Sequence, residues 1–194
     1  MNIKHQFIDS DFFLPNWAID TLVLGTFNPN CGKKTDYFYG RNSNLFWRAI
    51  ESICDKAPSS LQDNYSAKNE LMVLFKFGCS DIISSVEFNE SVRDKICGKG
   101  YSDSILFTLK YVAPVYEFEK IKNYLIQHNI LKVINTWGKR KSPKNFLLQI
   151  NDLELFCQAN QIDFIRCCPS PSGRLKKNMP ELTSFYKKHI LQGF

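Results

Sequence analysis

Polar side chains that can position a water molecule follow apolar runs of the chain. Asn28 lies three residues after Gly25, which ends the apolar run 22–24. Pro29 fixes its own backbone φ and biases Asn28 toward extended geometry, so the amide can be held rigidly over a pocket. An amide cannot act as a general base, but it can orient and polarise water. An ordinary Asn-Pro turn is the structural alternative.

Asn44 and Asp81 are two further polar residues next to apolar patterns. Asn44 precedes apolar residues with helical spacing and is a good N-cap, and Asp81 follows Gly78 and can cap in the same way. Capping is therefore the default expectation for both residues.

Aromatic and basic residues occur together in the long loop that follows the first apolar run. Phe38 and Tyr39 lie beside Arg41, and exposed aromatic rings next to a basic side chain are suited to stacking on nucleic-acid bases. The alternative is that the two rings anchor the loop in the core.

A rigid turn with two prolines follows the last apolar run. Ser170, Ser172 and the backbone around Gly173 can hold phosphate oxygens without steric obstruction, and Arg174 and Lys176 supply positive charge just beyond. The composition of this turn indicates a phosphate-binding segment.

Alternating strands and helices must position these residues. We expect strands at 20–25, 130–137 and 162–168, helices at 44–54, 66–77, 118–128 and 180–191, and one or two helices within 143–156. Gly78 is the expected C-cap of the second helix, residues 87–104 are expected to form a loop, and residues 1–19 to pack across the sheet edge without chemistry. This order predicts one α/β domain over residues 1–194, with a short, mostly parallel four-stranded sheet between helices. Several strand ends would then meet at one rim, where such sheets bind ligands.

Composition limits the class of protein. The chain has 194 residues, of which 44% are hydrophobic, and a formal charge of +6, which permits a nucleic-acid partner. No apolar run reaches the ~18 residues of a membrane span, and the amino terminus lacks a secretion signal. The seven cysteines have no C-x-x-C spacing, so we expect free thiols, a cytoplasmic location and no metal site.

The combined motifs resemble the uracil-DNA glycosylase superfamily, nearest to its mismatch-specific and hypoxanthine-DNA glycosylase branches. The matching segments come in the family's order, from about residue 20 to residue 175. They are Gly25-Thr-Phe-Asn28-Pro29, Tyr37-Phe-Tyr-Gly-Arg41, Asn44-Leu-Phe-Trp-Arg48, Asp81-Ile-Ile-Ser84, Tyr101-Ser-Asp-Ser-Ile105, Asn135-Thr-Trp-Gly-Lys139 and Pro169-Ser-Pro-Ser-Gly173.

The resemblance implies a three-layer glycosylase fold and a monofunctional DNA N-glycosylase that removes a deaminated or mismatched base, uracil or hypoxanthine, by flipping it from the duplex. It implies no cofactor, a monomer, a damaged or mismatched DNA partner, no membrane association and access to a bacterial-type nucleoid. The implied catalytic residues are Asn28, Asn44 and Asp81, with the choice of the water-positioning asparagine left open. The implied base-binding residues are Phe27, Phe38 and Tyr39. The implied DNA-binding residues are Arg41, Ser170, Ser172, Gly173, Arg174 and Lys176.

Two other functions stay open. Cys168 occupies the position of a histidine in classical uracil enzymes, which favours a non-catalytic nucleic-acid or nucleotide binder on the same fold. A small-molecule hydrolase acting on nucleosides is the third candidate, and it would show weak DNA binding with little dependence on salt.

Overall fold

The computed structural model describes residues 1–32, 34–98, 101–137, 144–166, 169–171 and 179–191. The strands are β1 Asn2–Lys4, β2 Thr21–Gly25, β3 Phe77–Asp81, β4 Ile83–Phe88, β5 Val112–Tyr116, β6 Lys132–Asn135 and β7 Asp163–Ile165. The α-helices are α1 Phe46–Ile53, α2 Tyr65–Leu74, α3 Arg93–Cys97, α4 Ile105–Thr108, α5 Phe118–Gln127, α6 Lys144–Ala159 and α7 Met179–His189.

A four-stranded parallel sheet in the order β3-β2-β6-β7 confirms the predicted α/β class. The three predicted strands are β2, β6 and β7. The fourth strand, β3, lies in a segment predicted to be the end of a helix followed by a polar turn. Its register with β2 pairs Gly25 with Asp81, which sets the carboxyl ends of these two strands side by side.

The parallel sheet lies between two hydrophobic clusters, as a three-layer arrangement requires. Val23 packs into the cluster that contains residues of α1 and α7. Leu22 and Leu24 point to the opposite face and pack with residues of α5 and α6. Because both faces are covered, the strand is apolar throughout, and each fully buried aliphatic side chain contributes about 1.5–3 kcal/mol.

A second sheet, antiparallel and in the order β1-β4-β5, was not predicted. Its central strand β4 buries Ser84, Val86 and Phe88 and turns Glu87 outward. This is the period-two pattern of a half-buried strand, but the serines weaken its apolar signal. The expected loop at 87–104 is therefore wrong at its beginning, and it also contains the short helix α3.

The end of α2 corrects another expectation. The helix ends at Leu74, and Lys76 adopts the left-handed conformation with φ +48°, a role that glycine usually fills after a helix. Gly78 is therefore not a C-cap but lies within β3.

Candidate functional site

A cavity of about 380 Å³ opens at the carboxyl ends of the parallel strands. This volume falls in the ~300–1,000 Å³ range of small-molecule sites. Its lining comprises Gly25, Thr26, Phe27, Asn28, Thr35, Tyr39, Gly40, Arg41, Ser43, Asn44, Asp81, Tyr101, Ser102, Asp103, Thr136, Trp137, Ser170 and Pro171. Segments distant in the chain therefore meet around one opening, at the edge of the sheet where ligands were expected.

Gly25 and Asp81 form the floor where β2 and β3 end, so the expectation that Asp81 is a cap is wrong: it is the last residue of a strand. Asp81 is 5% exposed. A Cβ atom on residue 25 would collide with Asp81 Oδ1 and lie 2.8 Å from the Tyr39 hydroxyl. The missing side chain of Gly25 thus provides the space in which a carboxylate and a phenol approach the end of the strand.

His5 fixes the orientation of Asp81 from the side away from solvent. Its Nε2 lies 2.8 Å from Asp81 Oδ2, and the backbone N–H of Phe7 donates to its Nδ1 at 3.0 Å. Because that N–H can only donate, Nδ1 carries no proton, and Nε2–H is the donor to Asp81. His5 is 1% exposed, so the carboxylate is held by a buried donor.

Gln6 holds the loop that carries Asn28. Its Nε2 donates to the Thr35 carbonyl at 2.6 Å, which leaves Oε1 to accept from Asn28 Nδ2 at 3.0 Å and from the Thr35 backbone N–H at 3.2 Å. The backbone N–H of Gln6 also donates to the Asn28 carbonyl at 2.8 Å. The expectation that residues 1–19 carry no chemistry is therefore wrong, because His5 and Gln6 position two site residues.

The Asn28 amide is fully oriented by these contacts. Nδ2 donates to Gln6 and, at 3.1 Å, to the Thr35 hydroxyl, while Oδ1 accepts from an Arg41 guanidinium nitrogen at 3.3 Å. Since arginine can only donate, the assignment of oxygen and nitrogen is unambiguous. Asn28 can therefore offer a further ligand only an acceptor site on Oδ1.

Asn44 offers a hydrogen-bond donor to the cavity, whereas Asn28 offers an acceptor. Its Oδ1 accepts from the Phe46 backbone N–H at 2.9 Å, at the first residue of α1. The prediction that Asn44 is the N-cap is wrong, because Leu45 occupies that position. With Oδ1 engaged, Nδ2 is the group that Asn44 can offer to a ligand in the cavity. The two asparagines therefore have different capacities, one as acceptor and the other as donor.

The aromatic residues divide between cavity and core. Phe27 and Tyr39 line the cavity. The Tyr39 hydroxyl lies 3.0 Å from Thr136 Oγ1, which itself donates to the Leu24 carbonyl. Tyr39 has a positive φ of 58°, a costly conformation that clusters at functional sites.

Phe38 is 1% exposed and stacks on His5. The predicted base-stacking role of Phe38 is therefore wrong, and the alternative of core anchoring holds for it.

Asp103 is a cavity residue that was not predicted as one, although it lies in a segment used for the resemblance. The pKa of its carboxyl is raised from the ordinary 3.8 to about 6, chiefly by burial and in smaller part by the Asp81 carboxylate. Interactions with the Tyr101 hydroxyl, Thr26 and Arg41 act in the opposite direction on this pKa. The cavity thus contains two acidic residues in different surroundings, a pattern typical of acid–base sites.

The predicted DNA-binding residues are only partly described. Arg41 lines the cavity, donates to Asn28 and lies 5.0 Å from the centre of the Tyr101 ring. Ser170 also lines the cavity, and the neighbouring Pro171 carbonyl accepts from the Leu45 backbone N–H at 2.7 Å. This bond fastens the rigid turn to the start of α1. The other predicted DNA-binding residues lie outside the described residues: Ser172, Gly173, Arg174 and Lys176. Cys168 also lies outside them.

The cysteines correct one further expectation. Cys31 and Cys97 form a disulfide, with their Cα atoms 5.2 Å apart, so the prediction of free thiols is wrong for this pair. The bridge joins the loop after β2 to the end of α3. Cys54, Cys79 and Cys157 are free. Within the described part of the chain, no group of three or more His, Cys, Asp and Glu side chains is arranged to hold a metal ion.

None of the helices formed by described residues is both long and apolar enough to cross a bilayer. Comparisons of the chain with models of protein families, with curated proteins and with solved structures found no match.

Proposed function

We propose that this protein is a monofunctional DNA glycosylase that hydrolyses the N-glycosidic bond of a deaminated or mismatched base, uracil or hypoxanthine, in base excision repair. The observation that carries the proposal is the meeting of Asn28, Asn44 and Asp81 around one cavity of about 380 Å³. These residues belong to separate segments that resemble glycosylase motifs. The proposed fold is correspondingly a three-layer sandwich of the uracil-DNA glycosylase type.

The contacts in the cavity suit the chemistry of this hydrolysis. Breaking the N-glycosidic bond develops positive charge on the sugar and negative charge on the base. Asp81, oriented by His5, is in a position to take a proton from the attacking water and to stabilise the sugar. Asn28 Oδ1 is the acceptor that can orient this water.

Other cavity residues suit recognition of the flipped base. Phe27 and Tyr39 supply aromatic surface, and Asn44 Nδ2 supplies a donor for a carbonyl oxygen of the base. Uracil and hypoxanthine both carry a carbonyl where the undamaged cytosine or adenine has an amino group, so a donor at this point favours the deaminated base. Arg41 and Ser170 are placed to contact phosphates at the opening.

The proposal includes the surroundings of the reaction. Water is the nucleophile, and the step asks for no cofactor. The net charge of +6 suits a DNA partner. A DNA substrate implies a cytoplasmic protein with access to the nucleoid, and one cavity per chain is sufficient for a monomer to act.

The test is base release from labelled oligonucleotides that carry uracil, hypoxanthine, xanthine or thymine, single-stranded and opposite each normal base, followed by alkaline cleavage of abasic sites. We expect release of one base class by the wild-type protein. We expect a loss of about 10²-fold or more in Asp81→Asn, with DNA affinity retained. The exposed Asp11→Asn variant is the matched control and should keep full activity.

The other functions give different results in the same experiment. DNA binding with a steep salt dependence but without release of any base would support a non-catalytic binder. Weak DNA binding with little salt dependence, together with hydrolysis of free nucleosides, would support the small-molecule hydrolase.

A further inference from the structure

We infer that Asp103 is the general acid that protonates the departing base, while Asp81 accepts the proton of the attacking water. This division of roles rests on the proposed glycosylase function and deepens it. It assigns a role in the reaction to a residue outside the set Asn28, Asn44 and Asp81.

The first support is the placement of the two carboxyl groups. Both Asp81 and Asp103 line the same cavity, but they come from different elements. Asp81 ends β3, whereas Asp103 lies in the turn before α4, where its carbonyl accepts from the Leu106 backbone N–H at 3.1 Å. Two carboxyl groups in one cavity can divide the roles of acid and base, as in glycoside hydrolases.

The second support is the contrast between their partners. Asp81 Oδ2 accepts a hydrogen bond from His5 Nε2–H, so this oxygen is committed as an acceptor. No lysine, arginine or histidine among the described residues forms a salt bridge with Asp103. A carboxyl group that has no salt-bridge partner among the described residues and lies in a partly desolvated place is shifted toward the neutral form, which is the form that can donate a proton.

The groups that face Asp103 act in both directions. Burial and the nearby Asp81 carboxylate raise its pKa, whereas Tyr101, Thr26 and Arg41 lower it, with a resulting value of about 6. Asp103 is therefore partly protonated at slightly acidic pH, where an ordinary aspartate is fully ionised. A pKa close to the working pH is the property that makes an acid catalyst efficient.

The step balances in atoms and charge. The water oxygen forms a bond to the sugar C1′, and the C1′–N bond breaks with its electron pair passing to the base. The Asp103 proton moves to the base, and a water proton moves to Asp81. The products are a neutral base and an abasic sugar, and one proton exchange through solvent restores the two carboxyl groups.

The test uses leaving groups of different quality under single-turnover conditions. 5-Fluorouracil departs as a more stable anion than uracil, because fluorine withdraws electrons, and therefore needs less help from an acid. For a hypoxanthine-specific enzyme, 7-methylhypoxanthine, which carries its own positive charge, takes the same place. We expect Asp103→Asn to slow release of the ordinary base by roughly 10²–10⁴-fold and release of the activated base by at least tenfold less.

Asp81→Asn is the comparison variant, because loss of water activation should slow both bases by similar factors. A second measurement needs no variant. In the wild-type protein, release of the ordinary base should slow as the pH rises above about 6, the pKa of Asp103, whereas release of the activated base should slow much less.

The outcomes separate the two proposals. Release of uracil or hypoxanthine by the wild-type protein, with equal losses for both leaving groups in Asp103→Asn, or with no loss, overturns the role of Asp103 and leaves the glycosylase function intact. An equal pH dependence for both bases in the wild-type protein has the same meaning, even when the variant does not fold. Failure of the wild-type protein to release any base overturns both proposals.

Discussion

His5 Nε2 donates to Asp81 Oδ2 across 2.8 Å, although the two residues are 76 positions apart in the chain. The bond crosses from the segment after β1 to the end of β3, and it joins the antiparallel sheet to the parallel one. A cavity carboxylate is therefore oriented by a residue that directly follows the first strand of the second sheet. The amino-terminal segment is a part of the site and not merely a cover for the sheet edge.

Replacement of His5 by leucine should lower both stability and activity. The variant leaves Asp81 Oδ2 buried without its donor, which costs about 1–3 kcal/mol in the free energy of unfolding. The carboxylate also loses its fixed direction, so base release should fall by roughly 10-fold to 100-fold, a part of what a positioned acid or base contributes. Chemical denaturation and single-turnover assays measure the two effects.

The control for His5→Leu is His128→Ala, because His128 is exposed and stacks on Tyr124, away from the cavity lining. Activity in His128→Ala should equal that of the wild-type protein. A His5→Leu protein that is destabilised but fully active would mean that His5 supports the fold alone.

The sequence predicted the parallel strands β2, β6 and β7 because each is a local apolar run. It missed β3, whose residues Gly78, Ser80 and Asp81 are not typical of strands and are identified as a strand only by their pairing with β2. The prediction of a cavity at the strand ends follows from topology and was correct for Asn28 and Asn44.

His5 and Asp103 could not be predicted as site residues from spacing. Asp103 reaches the cavity, and His5 reaches the Asp81 carboxylate, through tertiary contacts between distant segments. A single histidine or aspartate in a polar stretch carries no periodic signal. Phe38 shows the reverse case, since its position beside Arg41 resembled an exposed stacking platform whereas its ring packs against His5 in the core.

Replacement of Gly25 by alanine should damage the cavity floor. The added Cβ would collide with Asp81 Oδ1, so the carboxylate must move, at a cost of about 1–3 kcal/mol and with loss of most base release. Gly78→Ala is the matched control, because Gly78 lies in the same sheet but outside the cavity lining. Its added Cβ would collide with the Pro15 side chain. Similar thermal destabilisation in both variants, with activity lost only in Gly25→Ala, is the expected result. Equal activity in the two variants would contradict it.

A buried ion pair should anchor the cavity loop to α2. Lys68 is 0% exposed, and its Nζ lies 2.6 Å from both carboxylate oxygens of Asp36. Asp36→Asn or Lys68→Met alone leaves one buried partner uncompensated and should cost about 3–5 kcal/mol. The double variant should be more stable than the sum of the single changes predicts. Denaturant unfolding of all four proteins measures this coupling, and strict additivity would exclude a stabilising pair.

The Cys31–Cys97 disulfide should stabilise the folded protein, because it closes a loop with a sequence separation of 66. Removing a bridge of this span costs about 2–4 kcal/mol. A Cys31→Ser, Cys97→Ser double variant and the reduced wild-type protein should therefore show similar drops in Tm, and reductant should leave the Tm of the double variant unchanged. Cys54→Ser, which removes a free thiol, is the control. An unchanged Tm on reduction would show that the bridge contributes no stability.

Asp103→Asn should stabilise the protein at high pH while it slows the reaction. The folded state raises the pKa of Asp103 from 3.8 to about 6, so it binds the proton more tightly than the unfolded chain does. This contribution to stability is fully present below pH 3.8 and is lost as the pH rises through about 6.

At pH 8 the wild-type protein must bury a charge that asparagine lacks. The variant should therefore be more stable by up to about 3 kcal/mol, and by less where water in the cavity screens the charge. At pH 4 the two proteins should have similar stabilities. Denaturant unfolding of both proteins from pH 4 to 8 measures this difference, in which the titration of groups that do not interact with Asp103 cancels. A variant that loses stability relative to the wild-type protein as the pH rises would mean that the folded protein favours the ionised carboxylate, and Asp103 would then be unsuited to act as an acid.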